Sequence, residues 1–196
     1  MKNTSGNPAV IGLYGFGLTT FLLNLKNAGV YEGNSMIDAM GLCYGGLAQV
    51  IAGIMEWKKG NTFAFVAFTS YGFFWISLIL IHVLPALGVS EKPNNMALGF
   101  YCFIWGLFTL ALFVATLKIA PRALQFTFLT VVVLFWLLAA HFFAESHVLE
   151  RIAGVEGIIC GLSAIYVASG ELLNQYYGRT IIPLGEIKKI VRTLDY

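Results

Sequence analysis

The sequence predicts an all-α integral membrane protein of six transmembrane helices, with the N- and C-termini cytoplasmic. Three observations predict it. Only 11% of the 196 residues are charged and 58% are hydrophobic, against roughly 25% charged in a typical soluble domain. The charges that exist are spaced so that apolar runs of about 20 residues separate them, the length that spans a bilayer core. The 12 basic residues also divide unevenly between the two ends of those runs. The same composition, with a net charge of only +2, excludes a disordered chain, a nucleic-acid-binding surface and an ordinary cytosolic enzyme.

The first span is predicted from Ala9 to Leu25, stopped by Lys26. The second covers Met36 to Met55 and ends at Glu56-Trp57-Lys58-Lys59-Gly60-Asn61. The third runs from Thr62 to Leu84, before Pro85. Glu91, Lys92 and Pro93 mark the loop ahead of the fourth, Met96 to Leu117. Lys118, Pro121 and Arg122 turn the chain tightly into the fifth, Leu124 to Ala144, and the sixth follows from Ile152 to Leu173. Residues 1–8 then form a cytoplasmic N-terminus, 9–174 the six-helix transmembrane domain and 175–196 a cytoplasmic tail with an amphipathic stretch from Ile187 to Leu194. With the N-terminus inside, the cytoplasmic side holds nine basic residues: Lys2, Lys58, Lys59, Lys118, Arg122, Arg179, Lys188, Lys189 and Arg192. The other side holds only Lys26, Lys92 and Arg151. That bias sets the orientation.

Such short loops leave no room for a soluble catalytic domain, so any function belongs to the helix bundle. Gly41, Gly45, Gly46 and Gly53 in span two, and Gly157, Gly161, Ala164 and Ala168 in span six, recur at helix-packing spacing. Small residues at that spacing let backbones approach closely, and Ala164 is the candidate to leave a lumen as well. No Lys or Arg falls mid-span, which argues against a large polyanion as cargo. Gln49, Thr20 and Ser70 offer uncharged hydrogen bonds. Asn7, Asn61 and Gln125 stand at the starts of spans one, three and five, where a side-chain acceptor caps free N–H groups and the helix dipole favours an anion.

Glu56, Glu145, Glu150 and Arg151 read as solvated span ends. Asp38, Glu156 and Glu171 lie about a turn inside, where an ionisable residue is a functional candidate. Asp38 and Glu171 are candidates for proton linkage, Glu171 through a cytoplasmic base, and Glu156 is expected to face water at the outer mouth. Cys43, Cys102 and Cys160 each lie in an apolar run and read as buried hydrophobes. No His or Cys spacing suggests a metal site, and no Ser–His constellation suggests a hydrolase. Neither a cofactor nor a catalytic residue is expected.

Five motifs carry a resemblance. Asn7-Pro8-Ala9-Val10-Ile11-Gly12-Leu13, Tyr44-Gly45-Gly46-Leu47-Ala48-Gln49, Glu56-Trp57-Lys58-Lys59-Gly60-Asn61-Thr62-Phe63, Ala67-Phe68-Thr69-Ser70-Tyr71-Gly72 and Gly170-Glu171-Leu172-Leu173-Asn174 follow one another in family-like order and spacing. Together they resemble the acetate uptake transporters, the succinate–acetate permease family, from Asn7 to Glu186. The resemblance implies a six-helix protomer, a homo-hexamer, and passage of acetate, related monocarboxylates or succinate. It also implies a hydrophobic constriction within each protomer, which by motif falls on Phe16, Tyr71 and Val131. Leucine is frequent at the Val131 position, so valine here implies a wider gate. Val10 replaces a second proline, and Glu156 stands where an aromatic is common.

The mechanism expected from both readings starts at a vestibule lined by Asn7, Asn61 and Gln49. Acetate is partly dehydrated there and passes the gate, where the Tyr71 hydroxyl offers one hydrogen bond. Two other readings fit the same residues: a channel for a neutral solute such as urea or a short amide, and a membrane scaffold that transports nothing.

Overall fold

A computed structural model describes residues 6–187. Lys2, Lys188, Lys189, Arg192 and the amphipathic stretch beyond Ile187 lie outside the described residues. Among the described residues six helices are long and apolar enough to cross a membrane: α1 (Pro8–Asn27), α2 (Ser35–Lys58), α3 (Thr62–Ala86), α4 (Asn95–Ile119), α5 (Arg122–Ala144) and α6 (His147–Tyr177). No strand occurs among the described residues. The chain is an all-α, multi-pass integral membrane protein. Short connections make sequential helices antiparallel. The near end of the bundle therefore carries the starts of α1, α3 and α5, and the far end carries the starts of α2, α4 and α6.

Helix starts follow local chemistry. Asn7 accepts from Ala9 N at 3.2 Å and Pro8 takes the first helical position, where its missing N–H costs nothing. Asn61 caps α3 through Ala64 N at 3.2 Å. Asn34, Asn94 and Ser146 cap the three helices that start at the far end. Gln125 does not cap α5, contrary to the expectation from its position. Its amide donates to Thr116 O at 3.3 Å and Ala120 O at 2.9 Å, so it closes the end of α4 instead.

The N-terminal donors of α5 are met by the tail: Arg122 N reaches Gly185 O at 2.9 Å and Ala123 N reaches Leu184 O at 3.0 Å. Asn174 holds the returning strap by accepting from Ile181 N and Ile182 N at 2.6 and 3.0 Å. Leu184 is buried against Gly170. The described part of the tail is thus a folded strap on the bundle.

Glycines set how closely the helices pack. A Cβ on Gly161 would stand 2.8 Å from Gly17 O and 2.7 Å from Phe21 N, so α1 and α6 touch backbone to backbone. Gly157 leaves room for the Asn24 side chain, and Gly154 for the backbone at Ala28. In α2 the segment Gly41–Ala48 is π-helical. Gly41, Gly45 and Gly46 there press on Ile79, Trp75 and Ile76 of α3. The wider turn of a π segment, found often at functional sites, was not legible in the glycine spacing. The small-residue stripes are helix-packing surfaces, as lipid offers no hydrophobic drive for association. Ala164 is fully buried among Phe16, Tyr71, Val131 and Cys160. Helix α4 packs on α5 and exposes Phe100, Phe103, Ile104 and Leu107. Cys43 is exposed, against expectation, as it lies on the side of α2 opposite Gly41 and Gly45, which pack on α3; Cys102 and Cys160 are buried.

Candidate functional site: a cavity closed by an aromatic floor

A cavity of about 400 Å³ opens at the near end of the bundle. Its mouth carries the polar side chains of Asn7, Glu56, Lys59, Asn61 and Glu171. Its walls are apolar, from Leu13, Ala64, Phe68 and Leu124 among others. Its floor is Phe16, Gln49, Tyr71, Phe128 and Val131. Six residues expected from the sequence to serve the path, Asn7, Phe16, Gln49, Asn61, Tyr71 and Val131, converge there together with Glu171, a proton-linkage candidate.

The floor is placed by glycines on either side of its residues. Gly15 lets α1 approach the Tyr44 carbonyl of the π segment, where a Cβ would stand at 2.6 Å, and Gly17 lets it approach Gly161. Phe16 between them is locked to both α2 and α6. Gly72 likewise seats α3 against Gly46 O, at 2.8 Å from a would-be Cβ, and aims Tyr71 inward. The Phe16 and Tyr71 rings lie 5.7 Å apart at 45°, with Phe108 and Phe128 at 5.8 and 6.3 Å from Tyr71. Val131 is buried in the same cluster.

The Tyr71 hydroxyl does not point into the path as expected. It donates to Thr109 Oγ1 at 2.9 Å, and Thr109 donates to Trp105 O at 2.7 Å. The presence of Thr109 opposite Tyr71 depends on how α4 seats against α3, which the motif around Tyr71 does not encode. What Tyr71 offers the cavity is its ring.

Gln49 supplies the polar group in its place. Its side chain is 0% exposed, and neither the amide nitrogen nor the amide oxygen has a partner among the described residues. Leaving a buried amide unpaired costs about 1–3 kcal/mol. Its donor and acceptor therefore keep unspent hydrogen-bonding capacity on the cavity floor, which makes Gln49 the candidate polar contact there.

At the mouth, Glu56 is not solvated as its span-end position suggested. It is 1% exposed, held by Lys59 Nζ at 3.1 Å and by Asn61 Nδ2 at 2.7 Å. The chemistry of the helix end gives the reason. A carboxylate in the last turn of a helix opposes the helix dipole, so one that persists there needs a cation and a donor, and Lys59 and Asn61 follow at once in the chain. Glu171 accepts from Asn7 Nδ2 at 3.3 Å, and Lys59, a basic residue of the same end, acts on it through charge. Four path or proton candidates stand apart from the cavity lining. Thr20 is buried on α1 beyond Phe16, Ser70 is half-buried beside Tyr71, Ala164 packs behind the floor, and Asp38 lies in the first turn of α2 at the far end.

Six membrane-crossing helices around a cavity with a polar mouth and an aromatic floor define a protein of the membrane transporter and channel class. The comparisons with known proteins make this specific. Residues 1–187 match the GPR1/FUN34/yaaH family, and the chain belongs to it. It is 52% identical over 187 residues to the succinate-acetate/proton symporter SatP of Escherichia coli strain K12, covering 95% of this chain and 99% of that one. It is 40% identical over 170 residues to ammonia transport outward protein 2 of Saccharomyces cerevisiae, covering 83% of this chain and 60% of that one. Among solved structures, the bacterial acetate channel SatP superposes with a TM-score of 0.91 at 51% identity, over 93% of this chain and all of that one.

Proposed function

We propose that this protein passes acetate and related small carboxylates, succinate among them, across the cell membrane through a pathway inside each protomer. The proposal includes a homo-hexamer in the lipid bilayer, a cytoplasmic near end, and no enzymatic step. Similarity to proteins named as a succinate-acetate symporter and an acetate channel supports the cargo. The observation that carries the site assignment is the Gln49 amide, buried and unpartnered beside the Phe16, Tyr71 and Val131 floor.

Acetate fits each part of this arrangement. Asn7, Lys59 and Asn61 at the mouth each spend one N–H on Glu171 or Glu56 and keep at least one more for the cargo. Gln49 donates one N–H to a carboxylate oxygen as water is left behind. The apolar ring of the floor accepts the methyl group, and a constriction of that kind excludes hydrated ions by dewetting. A multivalent hydrated ion would leave its water without compensation.

The test is Gln49→Leu. The substitution removes an unsatisfied buried amide, so thermal stability holds or rises, while acetate flux in proteoliposomes falls by about tenfold, as the loss of one hydrogen bond to a charged group predicts. Undiminished flux with intact stability would remove Gln49 from the path. Urea flux measured in the same vesicles decides against the neutral-solute reading if it does not exceed that of protein-free liposomes.

A further inference from the structure

Glu156 lies on α6 on the far side of the constriction. It is eight residues from Ala164, or about 12 Å along the helix axis at 1.5 Å per residue. It was expected to face water at the outer mouth, and the structure places it otherwise. Both carboxyl oxygens are fully covered, and neither has a hydrogen-bond partner among the described residues. Glu156, Cys160 and Ser163 share one side of α6 by their i, i+4, i+7 spacing. Ser163 on that side bonds Thr127 of α5 at 3.0 Å, so this side of α6 turns toward α5, with Glu156 between the buried Ala153 and Cys160 and the exposed Ile152, Val155 and Ile159. Ala153 and Cys160, one turn either way, are both fully buried in the core that holds Phe16, Tyr71 and Val131.

A second unpartnered group lies near the same depth. Thr20 Oγ1 is buried with no partner among the described residues. It sits on α1 between Gly17, which meets Gly161, and Asn24, which meets Gly157. The polar groups that surround this level are otherwise engaged or neutral. Asn24 donates to Thr20 O and accepts from Asn27, and Thr130 of α5 donates to Thr127 O. Toward the far end, Lys26 is paired with Glu150 at 2.8 Å and His141 is bonded to Ser146 O at 2.9 Å. His147 faces Glu150, and Arg151 is exposed. Among the described residues, no cation forms a salt bridge with Glu156.

We propose that Glu156 is a proton-binding site in the far half of the carboxylate path, and that its ionisation obstructs passage. An ionised carboxylate sealed from water without a cation is far costlier than the neutral acid. The neutral acid has an O–H to donate and finds no acceptor among the described residues. A carboxylate arriving from the gate is that acceptor, with the Thr20 hydroxyl as a second donor. Once Glu156 loses its proton, like charge repels the cargo at the same place. The inference rests on the transport reading above and adds to it a residue that neither the cavity nor the floor includes.

The experiment exchanges labelled acetate across proteoliposomes at equal pH on both sides, stepped from about pH 6 to 9, where acetate is ionised, with protein-free liposomes subtracted. Wild-type exchange is expected to fall several-fold as pH rises. E156Q, which cannot ionise, should vary less than about twofold over the same range, and E156D should keep the fall. Infrared spectra of the wild type in bilayers should show a protonated-carboxyl band that E156Q lacks. E156D, which keeps a carboxyl at that position, should retain the band and so controls for a folding defect in E156Q. A flat wild-type profile, an E156Q profile that falls like the wild type, or the absence of the band overturns the proposal. A wild type that passes no acetate at any pH overturns the transport reading instead, and the infrared band still decides the proton site.

Discussion

At the scale of the residue, Tyr71 separates two mechanisms that share a side chain. If the hydroxyl served the cargo, removing it would slow passage as much as removing the ring. The hydroxyl is committed to Thr109, and Thr109 keeps its own acceptor, Trp105 O, so Tyr71→Phe strands no buried donor. Its stability cost is about 1 kcal/mol, that of one neutral hydrogen bond. Tyr71→Phe should retain acetate flux within about threefold, whereas Tyr71→Ala and Phe16→Ala, which remove buried aromatic packing worth about 3–5 kcal/mol, should change flux and selectivity strongly. Equal losses in Tyr71→Phe and Tyr71→Ala would restore the hydroxyl to the path.

The same residue shows where reading from sequence runs out. Phe16 and Tyr71 were legible because their glycine flanks repeat a family pattern. The flanks matter physically, since Gly15, Gly17 and Gly72 are the points where backbones touch. The Thr109 bond was not legible, because it joins helices 38 residues apart. Glu56 departs from its sequence expectation for a different reason. Its partners follow it across a helix end, where the turn at Gly60, with φ of +75°, brings Asn61 back over the carboxylate.

At the scale of the element, the α1–α6 seam and the tail strap do different work. The seam is a backbone contact that tolerates no added atom. Gly161→Ala would place a methyl group 2.7 Å from Phe21 N and 2.8 Å from Gly17 O, so α1 must shift and carry Phe16 with it. Overpacking of this kind costs about 1–3 kcal/mol. Gly161→Ala is therefore expected to lower the thermal midpoint in detergent and to change acetate flux together, because one helix carries both the contact and the gate. A lowered midpoint with unaltered flux would show that Phe16 does not depend on the seam.

Helix spans were the most legible elements, since bilayer thickness fixes their length and charges mark their ends. The π segment at Gly41–Ala48 and the strap that supplies the N-terminal acceptors of α5 were not. One is a register change within a glycine-rich run. The other uses backbone carbonyls, which carry no residue-type signature.

At the scale of the whole molecule, the orientation decides which compartment the cavity faces, and the charge distribution carries that argument. Among the described residues the near end holds Lys58, Lys59, Lys118, Arg122 and Arg179, against Lys26, Lys92 and Arg151 at the far end. Lys2, Lys188, Lys189 and Arg192 in the full chain widen this to nine against three. Lys59 is held by Glu56 and Lys26 by Glu150, which takes one cation from each end and leaves the sense of the bias unchanged. Basic residues near span ends are retained on the cytoplasmic side, so the polar mouth should open to the cytoplasm and Glu156 should lie on the outer half. Two exposed positions report this directly: Lys58 at the near end and Glu91 at the far end. In a variant with Cys43, Cys102 and Cys160 replaced by alanine, Glu91→Cys should react with a membrane-impermeant thiol reagent in intact cells. Lys58→Cys should react only after the membrane is opened. The reverse pattern would invert the bundle, turn the Asn7–Asn61 mouth outward, and place the proposed proton site on the cytoplasmic half, where it would sense the opposite compartment.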